Sequence, residues 1–123
     1  MAQITGIGGV FIKSPDPKAL GAWYREKLGL AVEDWGGALL KQSPLSPDTA
    51  TWTPFECDAK YFAPSSREVM INFAVDDLDG FLQAIEARGV KVEGRAADAA
   101  YGKFAWVIDP DGTKLEFWQP AKG

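Results

Sequence analysis

The 123-residue chain contains no histidine. That absence excludes every Ser–His or Cys–His nucleophile pair, every imidazole metal ligand and the commonest general base near neutral pH. Any chemistry must run on carboxylates, lysine, tyrosine, backbone groups or the single cysteine, Cys57. One cysteine cannot close an internal disulfide, which agrees with a reducing compartment. Its neighbour Asp58 disfavours a thiolate, so Cys57 reads as inert. Also missing is any apolar run near the roughly 20 residues needed to cross a bilayer. The stretch "MAQITGIGGVFIK" has neither a basic leader nor a small-residue cleavage site, so a cytoplasmic location with no membrane contact is expected. Basic residues are in deficit, 13 against 17 acidic, and no Lys/Arg cluster stands out. A phosphate backbone finds little here to neutralise, and nucleic acid is not an expected partner. What is present is a globular composition, 46% hydrophobic and 24% charged, over about one domain's length, residues 1–123.

The chain repeats itself. Residues 14–33, "SPDPKALGAWYREKLGLAVE", and residues 74–93, "AVDDLDGFLQAIEARGVKVE", match at Asp16 and Asp76, Glu26 and Glu86, Gly29 and Gly89, Val32 and Val92, and Glu33 and Glu93. The matches fall on helix punctuation. Asp16 and Asp76 suit N-caps, Pro17 suits the first helical position, and Gly29 and Gly89 suit the left-handed residue beyond the end. Between them lie apolar stripes at helical spacing, Leu20, Trp23, Tyr24 and Leu28 in one copy and Leu78, Phe81, Leu82 and Ile85 in the other. Each helix follows an apolar strand, "GGVFIK" or "VMINFAV". Each precedes "LAVE" or "VKVE" and then two more strand-like runs, "ALLKQ" and "TATWTPFE" or "KFAWVI" and "TKLEFW". The spacing predicts an α+β protein of two βαβββ modules, 1–56 and 68–120, that share a curved mixed sheet. Residues 57–67 form the linker, with Pro64 and two serines breaking regular structure.

Strand alternation then assigns faces. If Ile71, Phe73 and Val75 face the helix, then Met70, Asn72 and Ala74 face the open side. The same parity places Val10 and Ile12 under the first helix and Gly9, Phe11 and Lys13 on the open side. In the closing hairpin, Leu115 and Phe117 go under the second helix, and Lys114, Glu116 and Trp118 face a concave cup. Asn72 at a strand centre needs hydrogen-bond partners if buried. Trp106, Phe104, Phe11, Phe55 and Tyr61 read first as core or interface. Yet five tryptophans exceed what packing alone asks for, and an apolar cup with few polar groups is the usual small-molecule site. The "DDLD" run at 76–79 complements a helix dipole and reads as no calcium site.

The paired pattern, the helix "DPKALGAWYREKLGL" and the closing "IDPDGTKLEFW" resemble the glyoxalase, bleomycin-resistance and extradiol-dioxygenase superfamily, the vicinal oxygen chelate proteins. The resemblance implies a divalent metal in the cup, with Glu116 in the place of the closing-strand ligand. The other implied ligand positions fall at Gly9 (or Val10), Thr53 and Met70. A glycine, a valine and a thioether do not suit a hard cation, and threonine offers a weak hydroxyl. One carboxylate with waters makes no specific chelate, so no cofactor is expected. Glu56 supplies a second oxygen only if strand parity differs there. Lys13 reads either as a solvated strand-end cation or, by the resemblance, as an anchor for an anionic substrate. Glu116 is the candidate catalytic residue, as a general base or polar anchor.

These observations predict a glyoxalase-like protein that binds, or acts without metal on, a small aromatic or weakly anionic compound. Its cup would be lined by Phe11, Lys13, Thr53, Asn72, Trp106 and Glu116. The resemblance also implies a homodimer. A metal-dependent lyase or isomerase of the lactoylglutathione lyase type, with Glu116 as a ligand, is the alternative. An RRM-like nucleic-acid binder is a remote one, opposed by the acidic charge.

Overall fold

The structure is a computed structural model that describes residues 2–28, 30–43, 46–110 and 112–121. Its elements run β1 (Ile4–Ser14), α1 (Pro17–Leu28), β2 (Ala38–Ser43), β3 (Ser46–Glu56), a 3-10 turn (Lys60–Phe62), β4 (Val69–Val75), α2 (Leu78–Ala87), β5 (Gly94–Asp98), β6 (Gly102–Ile108) and β7 (Lys114–Pro120). The strands form one mixed sheet in the order β2-β3-β1-β4-β7-β6-β5. At its centre β1 and β4 pair antiparallel, while β3 lies parallel to β1 and β7 parallel to β4. The two halves of the repeat therefore join through their first strands.

Capping fixes where the helices start. Asp16 Oδ1 accepts from Ala19 N at 3.0 Å, with Pro17 at the first helical position, where its missing N–H costs nothing. In the second half the cap is Asp77, not the expected Asp76, and its Oδ1 accepts from Gly80 N at 3.1 Å. Asp76 is drawn away because its Oδ1 takes the Gln3 N–H at 2.9 Å. Gly89 ends the helix at φ +89°, as its composition suggests. The expected left-handed Gly29 lies outside the described residues.

Strand number departs from the expectation. "LAVE" forms no strand: Val32 N bonds Leu30 O and Glu33 N bonds Gly37 O, so its backbone closes on a local turn. "VKVE" is likewise not a strand. Val90 and Val92 pack on the α2 core as an approach segment, and pairing starts at Gly94. Seven strands form where eight were expected, and the first half has no counterpart of β5 among the described residues.

The core under α2 joins Val75, Leu78, Leu82, Ile85, Ala105, Val107 and Phe117, with the Phe81 and Phe117 rings 4.9 Å apart. Helix α1 rests on the other half through Tyr24, whose ring lies 4.3 Å from Trp52. Its cover is narrower. The parity that puts Val10 on this face holds, but Val10 remains 39% exposed. A second cluster, Phe11, Phe62 and Met70, fills one end of the concave face. Replacing Asp77 by Ala should cost about 1 kcal/mol of unfolding free energy in urea titration, because it removes the α2 cap.

Candidate functional site

A single cross-strand row carries the polar floor of the cup. Thr51 lies beside Gly9, Gly9 opposite Asn72, Asn72 beside Glu116, and Glu116 opposite Trp106. The parallel pairing of β4 with β7 is what brings the amide and the carboxylate side by side. Glu116 is 1% exposed and Asn72 2%. A charge that deep needs partners, and three uncharged donors supply them. Asn72 Nδ2 donates to Glu116 Oε1 at 2.6 Å, and Trp106 Nε1 donates to Oε2 at 2.7 Å. The Tyr61 hydroxyl donates to the same Oε2.

Tyr61 comes from the segment expected to be a structureless linker. Its 3-10 turn drops Phe62, fully buried, onto Met70 and Phe11, and holds Tyr61 in parallel stack on Phe55 at 5.6 Å and edge-on to Trp106 at 5.9 Å. Lys114 fastens the turn by donating its ammonium to Tyr61 O, with Nζ over the Tyr61 and Trp106 rings at 5.1 and 5.3 Å. Ser65 Oγ donates to Gly112 O at 2.6 Å and pins the far end. Burial first, and then the Glu116 charge, push the Tyr61 phenol far above the ordinary tyrosine range, so it remains a donor. Burial lowers the Lys114 ammonium, against the opposing pull of Glu116.

Beyond this floor the cup opens into a cavity of about 680 Å³. Aromatic rings dominate its wall: Phe11, Phe55 and Tyr61 near the floor, Phe104 and Trp118 along the far strands, and Trp35 and Tyr101 at the rim. Of the expected site residues, Phe11, Thr53, Asn72 and Glu116 line this space. Two do not. Lys13 holds its Nζ 5.3 Å from the Phe62 ring, on the filled end of the concave face. Trp106 reaches Glu116 from beneath Tyr61. Sequence reasoning treated Tyr61 as packing and passed over Phe62. Nothing periodic marks either, and the only available signal was two aromatics adjoining a lysine in an otherwise polar connection.

The metal that the resemblance implies does not fit these residues. Both Glu116 oxygens already accept hydrogen bonds, and Tyr61 stands over one of them. The register also corrects the expected ligand positions. Asn72, not Met70, shares the row with Glu116, and Thr51, not Thr53, pairs with Gly9. Met70 lies in the apolar cluster instead. Glu56 is exposed and does not line the cavity. Among the described residues no group of three or more His, Cys, Asp or Glu side chains comes together.

Two joined halves with a strand–helix start, a shared mixed sheet and a concave face define the vicinal oxygen chelate fold. The chain belongs to the glyoxalase-like domain family, whose model matches residues 9–118. Among solved structures it is similar to methylmalonyl-CoA epimerase from Mycobacterium tuberculosis, at 22% identity and TM-score 0.67, over 97% of this chain and 90% of that one. A variant of the Streptomyces coelicolor methylmalonyl-CoA epimerase, in complex with 2-nitronate-propionyl-CoA, aligns at 19% identity and TM-score 0.73, over 98% and 100% of the two chains. The 2,3-dioxygenase LapB from Pseudomonas sp. KL28 aligns at 17% identity and TM-score 0.62, over 97% of this chain and 42% of that one. At such identities the likeness is one of fold. No curated protein sequence matches.

Glu116→Gln puts an amide where only acceptors fit, so one donor among Asn72, Trp106 and Tyr61 loses its partner. Chemical unfolding should show a loss of about 1–3 kcal/mol. The Tyr61 shift sets a second expectation. Below about pH 10 the phenol is protonated in both folded and unfolded chains; above it the unfolded chain alone ionises, so stability falls as pH rises. Melting temperatures from about pH 8 to about pH 11 should fall more steeply for the wild type than for Tyr61→Phe.

Proposed function

We propose that the protein is a metal-independent small-molecule-binding member of the glyoxalase-like family, whose cup receives an aromatic compound. The observation that carries this reading is the cavity of about 680 Å³ with an aromatic wall and a carboxylate whose two oxygens are already engaged. The volume falls within the roughly 300–1,000 Å³ of small-molecule pockets. Stacked and edge-on rings at close to van der Waals range offer dispersion and quadrupole contacts to a planar guest. Among the described residues the wall includes no lysine or arginine, so of the two expected ligand types the aromatic one is retained over the weakly anionic one.

In this reading Glu116 organises the floor and does not act as a base, because proton abstraction requires an oxygen turned toward substrate. Lys13, packed on Phe62, is no substrate anchor. The lyase or isomerase alternative lacks support from the donor set, since no group of three or more His, Cys, Asp or Glu side chains comes together among the described residues. A homodimer in the cytoplasm agrees with the exposed Val10, Val69 and Trp23 on the helix side and with the lone free cysteine.

Two measurements test the proposal. Elemental analysis after incubation with nickel or zinc should give far less than one metal per chain, with no hemithioacetal turnover in either case. Trp35 and Trp118 line the cavity, so intrinsic fluorescence should shift and saturate with naphthalene-sized aromatics. Stoichiometric metal with chelator-sensitive turnover would instead establish the enzyme.

A further inference from the structure

Lys13 and Lys114, the lysines of the concave face, both sit against aromatic rings. Lys13 Nζ lies 5.3 Å from the Phe62 ring, and Lys114 Nζ lies 5.1 and 5.3 Å from the rings of Tyr61 and Trp106. The open cavity continues the aromatic surface without the cations. Phe11, Phe55, Phe104, Trp118, Trp35 and Tyr101 line it, and among the described residues no lysine or arginine does. The face of an aromatic ring is the negative part of its quadrupole and attracts a positive charge, most strongly where water is kept out.

The charges placed around the cavity have the sign that matches. Glu116 lines it, while the cation that interacts with Glu116, Lys114, bonds to Tyr61 O and does not line it among the described residues. The pair is therefore a dipole with its negative end toward the space. On the β5–β6 flank, Arg95 and Lys103 are drawn to Asp79 at the head of α2, on the other side of the sheet. The turn on that flank holds an acid instead: Asp98 Oδ1 accepts from the backbone N–H groups of Ala100 and Tyr101 at 2.7 and 3.1 Å, beneath the exposed Tyr101 ring. Across the mouth, Trp35 follows the exposed Asp34, and its ring rests on Gly37, where a Cβ would collide with it. Each flank of the mouth thus sets an aromatic side chain beside a carboxylate.

Resting on the aromatic-cup reading, we infer that the cup selects an aromatic cation: a planar ring system whose positive charge is permanent and spread over the ring, as in an N-alkylated nitrogen heterocycle. Such a cation is weakly hydrated and loses little on leaving water, whereas a compact ammonium holds its water strongly. A neutral ring of the same shape keeps the apolar contacts and forgoes the charge–quadrupole attraction. An aromatic carboxylate meets ring faces and Glu116, all of the wrong sign.

The test compares three probes of similar shape by calorimetry: N-methylquinolinium, 2-methylquinoline in mildly alkaline buffer, where it is uncharged, and 2-naphthoate. The quinolinium should bind about tenfold tighter than the neutral quinoline, the order expected for a partly desolvated cation on aromatic faces, and the naphthoate should bind weakest. Trp35→Leu and Tyr101→Leu keep an apolar lining at exposed positions, where folding does not depend on the ring, and each should lower the quinolinium-to-quinoline ratio by about threefold. Equal affinity for quinolinium and quinoline, tightest binding of the naphthoate, or a ratio unchanged in both variants would overturn the cation assignment and leave the aromatic cup standing. No saturable heat with any of the three up to about 1 mM would overturn the cup reading and the cation assignment together.

Discussion

A carboxylate almost wholly removed from solvent sets the terms for the concave half of this molecule. Desolvating an ionised side chain costs several kcal/mol unless hydrogen bonds replace the lost water, and Glu116 receives three of them from uncharged groups. Each arrives on a different piece of chain: β4 brings Asn72, β6 brings Trp106, and the crossover turn brings Tyr61. The requirement thus ties together elements that are remote in sequence. Lys114 adds a cation that interacts with Glu116 through charge, yet it bonds to a carbonyl of the turn and lies over the rings of Tyr61 and Trp106, and the carboxylate's hydrogen-bond partners are neutral.

The same arrangement explains why the cup differs from the metal centre that its family resemblance implies. A chelate needs several anionic or strongly basic donors with lone pairs directed at one point. Here the row through Glu116 presents a threonine, a glycine, an amide and an indole N–H, and two of these donate hydrogen bonds rather than electron pairs. Phe62 and Met70 occupy the adjoining end with hydrocarbon and a thioether. The fold has its cup and the closing-strand acid, and around that acid stand hydrogen-bond donors and hydrocarbon.

Much of this was legible in the residues. Period-two alternation placed Asn72 and Glu116 on the concave face because both strands are buried on two sides, where a slip of one residue would be costly. Helix punctuation identified both helices, but it chose the wrong one of two adjacent aspartates as the cap of the second. The strand count failed for a physical reason: "LAVE" and "VKVE" are apolar because their valines pack beneath helices, a demand that a connection can meet as well as a strand. Tyr61 and Phe62 were the larger omission. Their roles depend on a non-local meeting between a short turn and a carboxylate 55 residues away, and no local pattern encodes such an encounter.

The unequal halves leave the trough lopsided. Outside the four central strands, one flank is the single strand β2 and the other is the β6–β5 pair. Leu39 on the β2 flank is 52% exposed where it borders the hollow, and Tyr101 on the β5–β6 flank is 67% exposed. Both rims of the hollow thus present large apolar side chains to water, although among the described residues one is carried by a single strand and the other by a hairpin.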